Sequence, residues 1–200
     1  NSPNDVVVHP DGSIWFTDPM YGINGNYEGF KSDAELPMAV YRVDARSGQI
    51  ARVTDEMTGP NGLCFSPDYK TLYVADTGST RAIRAFDVTD TALRNARTFA
   101  TLTIPGTTTP SGADGIRCDI DGNVWAGARP GVQVIAPTGE VVARAVTEGD
   151  ELVVARCDLD LGRSYKASTF AFERHREPQA YGMIIERKGA TYYAVAAGLM

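Results

Sequence analysis

Three segments of the chain repeat one pattern of residue types. They are residues 4–18 (NDVVVHPDGSIWFTD), 59–76 (GPNGLCFSPDYKTLYVAD) and 114–127 (DGIRCDIDGNVWAG). In each segment an Asn or Asp opens a short apolar run, a turn sequence follows, and a second apolar and aromatic run leads to a small or acidic residue. Apolar runs on either side of a turn sequence indicate two antiparallel strands. The pattern therefore predicts the same strand–turn–strand unit three times.

The spacing of the copies predicts the larger unit. Asn61 follows Asn4 by 57 residues, and Asp114 follows Asn61 by 53. This is too far for a hairpin repeat and close to the length of a four-stranded propeller blade. Further strands are predicted at residues 39–43, 49–53, 82–88 and 97–104. No helical periodicity longer than two turns appears before Pro137, so the first 137 residues are predicted to be all-β.

Asn4, Asn61 and Asp114 occupy the same place in the three copies. Each blade presents its innermost strand to a shared channel, so we expect these side chains to converge. Amide and carboxylate oxygens bind Ca²⁺-like cations, and a carboxylate beside a cation accepts a proton from water. The alternative is that Asn-Gly and Asp-Gly are only turn formers at these positions. Asp18 and Asp76 end their strands and are predicted to form hydrogen bonds within the blades.

Composition and charge exclude several classes of protein. The 200 residues are 43% hydrophobic, which predicts one globular domain, or at most two. A net charge of −6 argues against nucleic acid or an anionic membrane as the partner. No apolar segment approaches the ~20 residues of a membrane-spanning helix. We therefore expect a small-molecule ligand and a cytoplasmic location, with the periplasm as the alternative because the chain opens directly on a repeat copy, as though earlier blades preceded it.

Cysteine usage and one long insertion complete the features that bear on function. The three cysteines, Cys64, Cys118 and Cys157, lie in apolar runs without CxxC spacing and are predicted to be buried thiols. Residues 19–37 are rich in Gly, Asn and Tyr and are predicted to form a surface loop that covers one end of the channel.

Three aromatic residues are candidates to line a sugar pocket. They are Trp15 in the first copy and Tyr21 and Tyr27 in the insertion. An aromatic residue in a propeller more often belongs to the core, so a core position is the alternative for each of them. The sequence pattern does not choose between the two.

The repeated motifs resemble a known family. SPNDVVVHPDGSIWFTDPMYG, GPNGLCFSPDYKTLYVADTG, GADGIRCDIDGNVWAG and GVQVIAPTGE are similar to the SMP-30/gluconolactonase/luciferin-regenerating-enzyme family of six-bladed β-propeller lactonases. The resemblance covers about residues 1–140, which at ~50 residues per blade amount to a partial β-propeller with about half of the blades. It implies hydrolysis of a sugar lactone by water near one divalent cation, Ca²⁺ or Zn²⁺.

The same resemblance assigns roles to individual residues. It implies that Asn61 and Asp114 bind the metal and that Asp114 is also the general base. Asn4 resembles a residue that contacts water or substrate, and Asp5 is the weaker candidate for that role. The family has a further ligand, a Glu in an EGP-type motif, which has no counterpart here. The site is therefore predicted to lack one carboxylate.

The end of the chain resembles a different family. Residues 140–188 are similar to the C-terminal segment of N-carbamoyl amino acid amidohydrolases of the nitrilase superfamily. This predicts a chimeric chain, with a propeller portion at residues 1–139 and a short mixed α/β tail at residues 140–200. Strands are predicted at residues 140–145 and 151–156. None of the amidase catalytic motifs is present, so Cys157 is predicted to have no catalytic role.

The leading function is metal-dependent hydrolysis of a sugar lactone, with the missing blades expected to lower or abolish activity. One alternative is a fragment of a nitrilase-type carbon–nitrogen hydrolase, against which the missing nucleophile motif argues. Another is a non-catalytic propeller that binds a partner or sugar through its loops. The open sheet edges of a partial propeller, or its tail, further predict pairing with another copy of the chain.

Overall fold

The computed structural model describes residues 1–89, 92–129 and 131–147. Within these residues the chain forms twelve strands and no helix. The strands form three four-stranded antiparallel sheets, and each sheet consists of four strands that are consecutive in sequence. Three such sheets are three blades, which confirms the predicted all-β partial propeller with half of the blades of the six-bladed family.

The strand bounds follow the order of the chain. The first sheet contains β1 (Val6–Val8), β2 (Ile14–Asp18), β3 (Ala39–Val43) and β4 (Ile50–Thr54). The second sheet contains β5 (Pro60–Phe65), β6 (Thr71–Asp76), β7 (Ala82–Thr89) and β8 (Ala92–Thr101). The third sheet contains β9 (Ala113–Cys118), β10 (Val124–Ala128), β11 (Gly131–Ile135) and β12 (Val141–Arg144).

The three sequence copies form the first hairpin of each sheet, as predicted. Their turns share one backbone feature, a residue in the left-handed region at the same place. It is Gly12 (φ 84°) in the first copy, Tyr69 (φ 59°) in the second and Gly122 (φ 86°) in the third. Glycine adopts this conformation without a steric penalty, which explains the two Asp-Gly turns.

The second sheet lies between two hydrophobic clusters. Alternate residues along β6 point to opposite faces, so Val74 packs with Trp15 against the first sheet while Tyr73 packs with Ile116 against the third. All six residues of β5 are buried for the same reason. The middle of β6, residues 72–75, therefore reads as a continuous buried apolar run. Trp15, only 1% exposed, belongs to this core and does not line a sugar pocket.

Residues 19–37 form no strand or helix, as predicted for a loop. The strand predicted at residues 140–145 is confirmed as β12, which pairs with β11 and completes the third sheet. The second strand and the helical part predicted for the tail lie outside the described residues. No helix long and apolar enough to cross a membrane occurs in the part of the chain that the structure describes.

Candidate functional site

Asn61 lies in β5 and Asp114 in β9, whereas Asn4 lies two residues before β1. Together the three line one cavity of about 590 Å³. They also line, all three together, a second cavity of about 830 Å³. Both volumes lie in the range of small-molecule sites. The structure thus brings together the polar residues that occupy equivalent places in the three sequence copies.

Asn61 and Asp114 lie within strands, so the alternative that they are turn formers is wrong. Both lie where the strand register shifts by one residue. Over residues 60–63, β5 advances three residues while its partner β6 advances two. Over residues 113–116, β9 advances three residues while β10 advances two. An extra residue of this kind is a bulge, which bends the strand and redirects a side chain.

The first copy has the same irregularity one residue before β1. The Thr17 amide donates to the Asp5 carbonyl at 3.0 Å, and the Thr17 carbonyl accepts from the Asn4 amide at 2.9 Å. One residue of β2 therefore faces two residues of the opposing strand. The bulge is a repeated feature of the innermost strand, and in each copy it carries the polar residue that lines the cavity.

Gly62 explains how closely β5 approaches β9 next to Asn61 and Asp114. A Cβ atom at Gly62 would lie 2.4 Å from the Asp114 carbonyl oxygen and 2.6 Å from the Ile116 amide nitrogen. Both are backbone atoms that cannot rotate away. The backbones of β5 and β9 therefore touch at a point where only glycine fits. A side chain at Gly62 would push the second and third sheets apart.

The Asn61 side chain is buried and its two polar atoms have different surroundings. Nδ2 donates to Thr77 Oγ1 at 3.2 Å. Oδ1 accepts no hydrogen bond from any of the described residues. Thr77 Oγ1 is in turn hydrogen-bonded to the Tyr21 hydroxyl. An unpaired buried amide oxygen costs about 1–3 kcal/mol, so its retention in a cavity needs a reason.

Asp5 also lines the first cavity, but its carboxylate is engaged by the protein. Arg117 donates to Oδ2 at 2.8 Å and to Oδ1 at 3.0 Å, and the Leu63 and Val6 amides donate at 3.0 and 2.9 Å. Burial alone would raise the pKa of Asp5, but these hydrogen bonds outweigh it and hold the pKa below its ordinary value. The substrate-binding roles of Asn4 and Asp5 stay predictions.

A family model described as "SMP-30/Gluconolactonase/LRE-like region" matches residues 1–158. The chain belongs to this family. A putative sugar lactone lactonase of Rhizobium meliloti is 34% identical over 147 residues, which are 72% of this chain and 45% of that protein. The match covers less than half of that relative, so the chain spans only part of a typical SMP-30/gluconolactonase protein.

Solved structures of the family agree with this assignment. A gluconolactonase from Xanthomonas campestris superposes with a TM-score of 0.65 at 39% identity, covering 70% of this chain and 46% of that one. A calcium-binding regucalcin from Agrobacterium tumefaciens superposes with a TM-score of 0.54 at 24% identity, covering 70% and 44%, and shows the shared fold. The comparisons do not support the amidase resemblance of residues 140–188.

The site of this SMP-30/gluconolactonase chain offers oxygen donors to a cation. Among the described residues, no three His, Cys, Asp or Glu side chains cluster in a way that could hold a metal ion. The cavities nevertheless bring Asn4, Asn61 and Asp114 together, and neither cavity is lined by His or Cys. The buried Oδ1 of Asn61 has no hydrogen-bond partner among the described residues. In donor type this set fits Ca²⁺ better than Zn²⁺, which prefers nitrogen and sulfur.

Several cavity residues were missed at the sequence level. They are Glu28, Thr77, Arg117, Trp125 and Arg129. Two of them could have been predicted from the sequence, because in an antiparallel hairpin the end of the second strand lies beside the start of the first. Thr77 directly follows β6 and Arg129 directly follows β10, so each lies beside the bulge of its own sheet. Of the aromatic candidates, Tyr21 lines the second cavity, whereas Tyr27 is 98% exposed and lines neither.

Proposed function

We propose that this member of the SMP-30/gluconolactonase/LRE-like family hydrolyses a sugar lactone in the cavities lined by Asn4, Asn61 and Asp114. The observation that carries the proposal is the convergence of these side chains from equivalent bulges of three sheets. Two relatives, the sugar lactone lactonase and the gluconolactonase, bear names of this activity. Because the chain spans less than half of their length, the activity is a proposal for this chain.

Asp114 is the proposed general base. It accepts a proton from a water molecule whose oxygen attacks the lactone carbonyl carbon. The bond between that carbon and the ring oxygen then breaks, and the ring oxygen takes the proton back from Asp114. One water is added and a hydroxy acid results. Asp114 is exposed to the cavity, so water reaches it, and the exposed Asn4 amide is available to hydrogen-bond a sugar hydroxyl.

A divalent cation, when bound, would supply positive charge that polarises the lactone carbonyl. Asn61 through Oδ1 and Asp114 through its carboxylate are the residues that would hold it, and Ca²⁺ suits these oxygen donors. The calcium-binding regucalcin is in line with that choice. Because Asp114 is the one carboxylate of this donor pair, we expect weak binding of the cation.

The test combines calorimetry and a lactone assay on the full chain. We expect Ca²⁺ to bind, and glucono-δ-lactone hydrolysis above the spontaneous rate to fall at least 100-fold in Asp114→Asn, because the base is lost. Asp121→Asn is the matched control, since Asp121 is exposed on the turn after β9, away from both cavities. Equal rates in wild type and Asp114→Asn would contradict the proposal.

Two other outcomes distinguish the alternatives. A folded chain that binds Ca²⁺ or a sugar without turnover would favour a non-catalytic binding module. Release of ammonia and carbon dioxide from an N-carbamoyl amino acid would instead favour the amidase alternative. A monodisperse monomer in light scattering would argue against the pairing with another copy that the sequence predicts.

A further inference from the structure

We propose that Tyr21 is a positioning residue that decides which way the Asn61 side-chain amide faces. Through Thr77, its hydroxyl holds the Asn61 NH₂ group on Thr77 and leaves Oδ1 as the side-chain atom without a protein partner. Tyr21 lies on the loop between β2 and β3, 40 residues before Asn61. The use of Oδ1 by a cation rests on the proposed function, but the orientation itself does not.

The Tyr21 hydroxyl, the Thr77 hydroxyl and the Gly59 carbonyl form a triangle of contacts, and Asn61 contacts this triangle at Thr77. Tyr21 Oη lies 3.0 Å from the Gly59 carbonyl oxygen and is also hydrogen-bonded to Thr77 Oγ1. Thr77 Oγ1 lies 3.3 Å from the same Gly59 carbonyl. Outside the triangle, Asn61 Nδ2 lies 3.2 Å from Thr77 Oγ1.

Counting hydrogens shows how this triangle restricts Asn61. The two hydroxyls have one hydrogen each, and the Gly59 carbonyl can only accept. When Thr77 donates to Tyr21 and Tyr21 donates to Gly59, the three shortest contacts are all hydrogen bonds, and Thr77 accepts from the Asn61 NH₂ group. If Thr77 instead donated to Asn61 Oδ1, one hydrogen would remain for the Tyr21–Thr77 and Tyr21–Gly59 contacts together, and one pair of oxygens would face each other without a hydrogen. The triangle therefore favours the orientation in which Asn61 presents its NH₂ group to Thr77.

Without the tyrosine hydroxyl this restriction disappears. The NH₂ group and the oxygen of an amide have nearly the same size, so packing does not distinguish the two orientations. Thr77 would then be free to donate its hydrogen to Asn61 Oδ1, which would put the NH₂ group where Oδ1 now lies. An NH₂ group cannot bind a cation, so the flipped amide would remove an oxygen ligand.

The surroundings of Tyr21 hold its hydroxyl in place. The phenol is partly buried, and a tyrosine hydroxyl keeps its hydrogen at neutral pH. Gly59 provides the room, because a Cβ atom there would lie 2.9 Å from the Tyr21 hydroxyl. Gly112 likewise leaves room for Thr77, because a Cβ atom there would lie 3.0 Å from the Thr77 methyl group.

The experiment follows the Asn61 side-chain NH₂ signal by NMR in the ¹⁵N-labelled 200-residue chain. Asn61→Asp assigns the signal by removing it. We expect hydrogen exchange of this NH₂ group to be at least 5-fold faster in Tyr21→Phe than in wild type. Tyr27→Phe, on the same loop but 98% exposed, is the matched control and should leave the signal unchanged. A second pair of variants tests the same arrangement without changing Tyr21. Thr77→Val should also speed exchange, whereas Thr77→Ser keeps the hydroxyl and should exchange at the wild-type rate.

Calorimetry with Ca²⁺ adds the functional readout. We expect about a 10-fold weaker affinity in Tyr21→Phe, the usual effect of losing an outer partner of a metal ligand, and no loss in Tyr27→Phe. An unchanged Asn61 NH₂ signal in both Tyr21→Phe and Thr77→Val would overturn the inference. If the signal responds as expected but the wild-type chain binds no Ca²⁺, the positioning role of Tyr21 is supported and the cation in the proposed function is contradicted.

Discussion

Arg117 binds both carboxylate oxygens of Asp5, a residue 112 positions earlier in the chain, at 2.8 and 3.0 Å. Asp5 directly precedes β1 of the first sheet, and Arg117 belongs to β9 of the third. The same carboxylate accepts the Leu63 amide of β5 at 3.0 Å. One carboxylate therefore joins three sheets beside the candidate site.

Replacing the two partners should have unequal effects on stability. Asp5→Ala removes the acceptor of two backbone amides as well as Arg117, and its side chain is only 16% exposed. We expect a loss of about 2–3 kcal/mol in the free energy of unfolding. Arg117 is 63% exposed, so solvent screens the pair and Arg117→Ala should cost less than about 1 kcal/mol. Urea unfolding measures both, and a larger loss in Arg117→Ala would contradict the bridging role of Asp5.

Asp5 should also make stability depend on acid pH. Its pKa in the folded protein lies below the ordinary value of 3.8, so the unfolded chain binds the proton more tightly. The stabilisation is present above about pH 4 and is lost as pH falls through the folded-state pKa. We expect the stability difference between wild type and Asp5→Asn to shrink from pH 7 to pH 3. Other carboxylates with a lowered pKa, such as Asp68 and Asp87, contribute equally to both proteins, so their effect on stability cancels in the comparison.

Two glycines next to site residues should respond very differently to alanine. Gly62→Ala places a methyl group 2.4 Å from a backbone oxygen of β9, which cannot move without separating two sheets. We expect a loss of at least about 3 kcal/mol, at the upper end for overpacking. Gly115→Ala is the matched control, because its added Cβ meets no atom within 4 Å. Thermal unfolding compares them, and equal melting temperatures would refute the close approach of β5 and β9.

The two cysteines of the described region should be unreactive in the folded protein. Burial raises the pKa of Cys64 well above its ordinary value and that of Cys118 to about 12. Both thiols therefore stay protonated, and the thiolate is the reactive form. We expect mass spectrometry to find both unlabelled by a thiol reagent at pH 8, and labelled once urea is added. Glutathione in the same solution is the control, and rapid labelling of Cys64 in the native chain would contradict its burial.

Part of the site could be predicted from residue types and spacing. The equivalence of Asn4, Asn61 and Asp114 depended only on a repeat pattern, and the structure places all three at the same cavities. The position of Trp15 could not be predicted, because its copy of the pattern fits both a core and a pocket. Trp125 holds the corresponding position in the third copy, yet it lines the first cavity.

The sequence by itself determined the strands, their hairpins and the polar residue that each hairpin carries at its start. These features depend on residues a few positions apart, so alternating side chains and turn residues encode them directly. Only the tertiary structure decided that Arg117 meets Asp5 and that Tyr21 meets Thr77 beside Asn61. Such contacts join different sheets. They depend on how the bulges bend each innermost strand and on how closely Gly62 lets two backbones approach. A local sequence pattern contains neither kind of information.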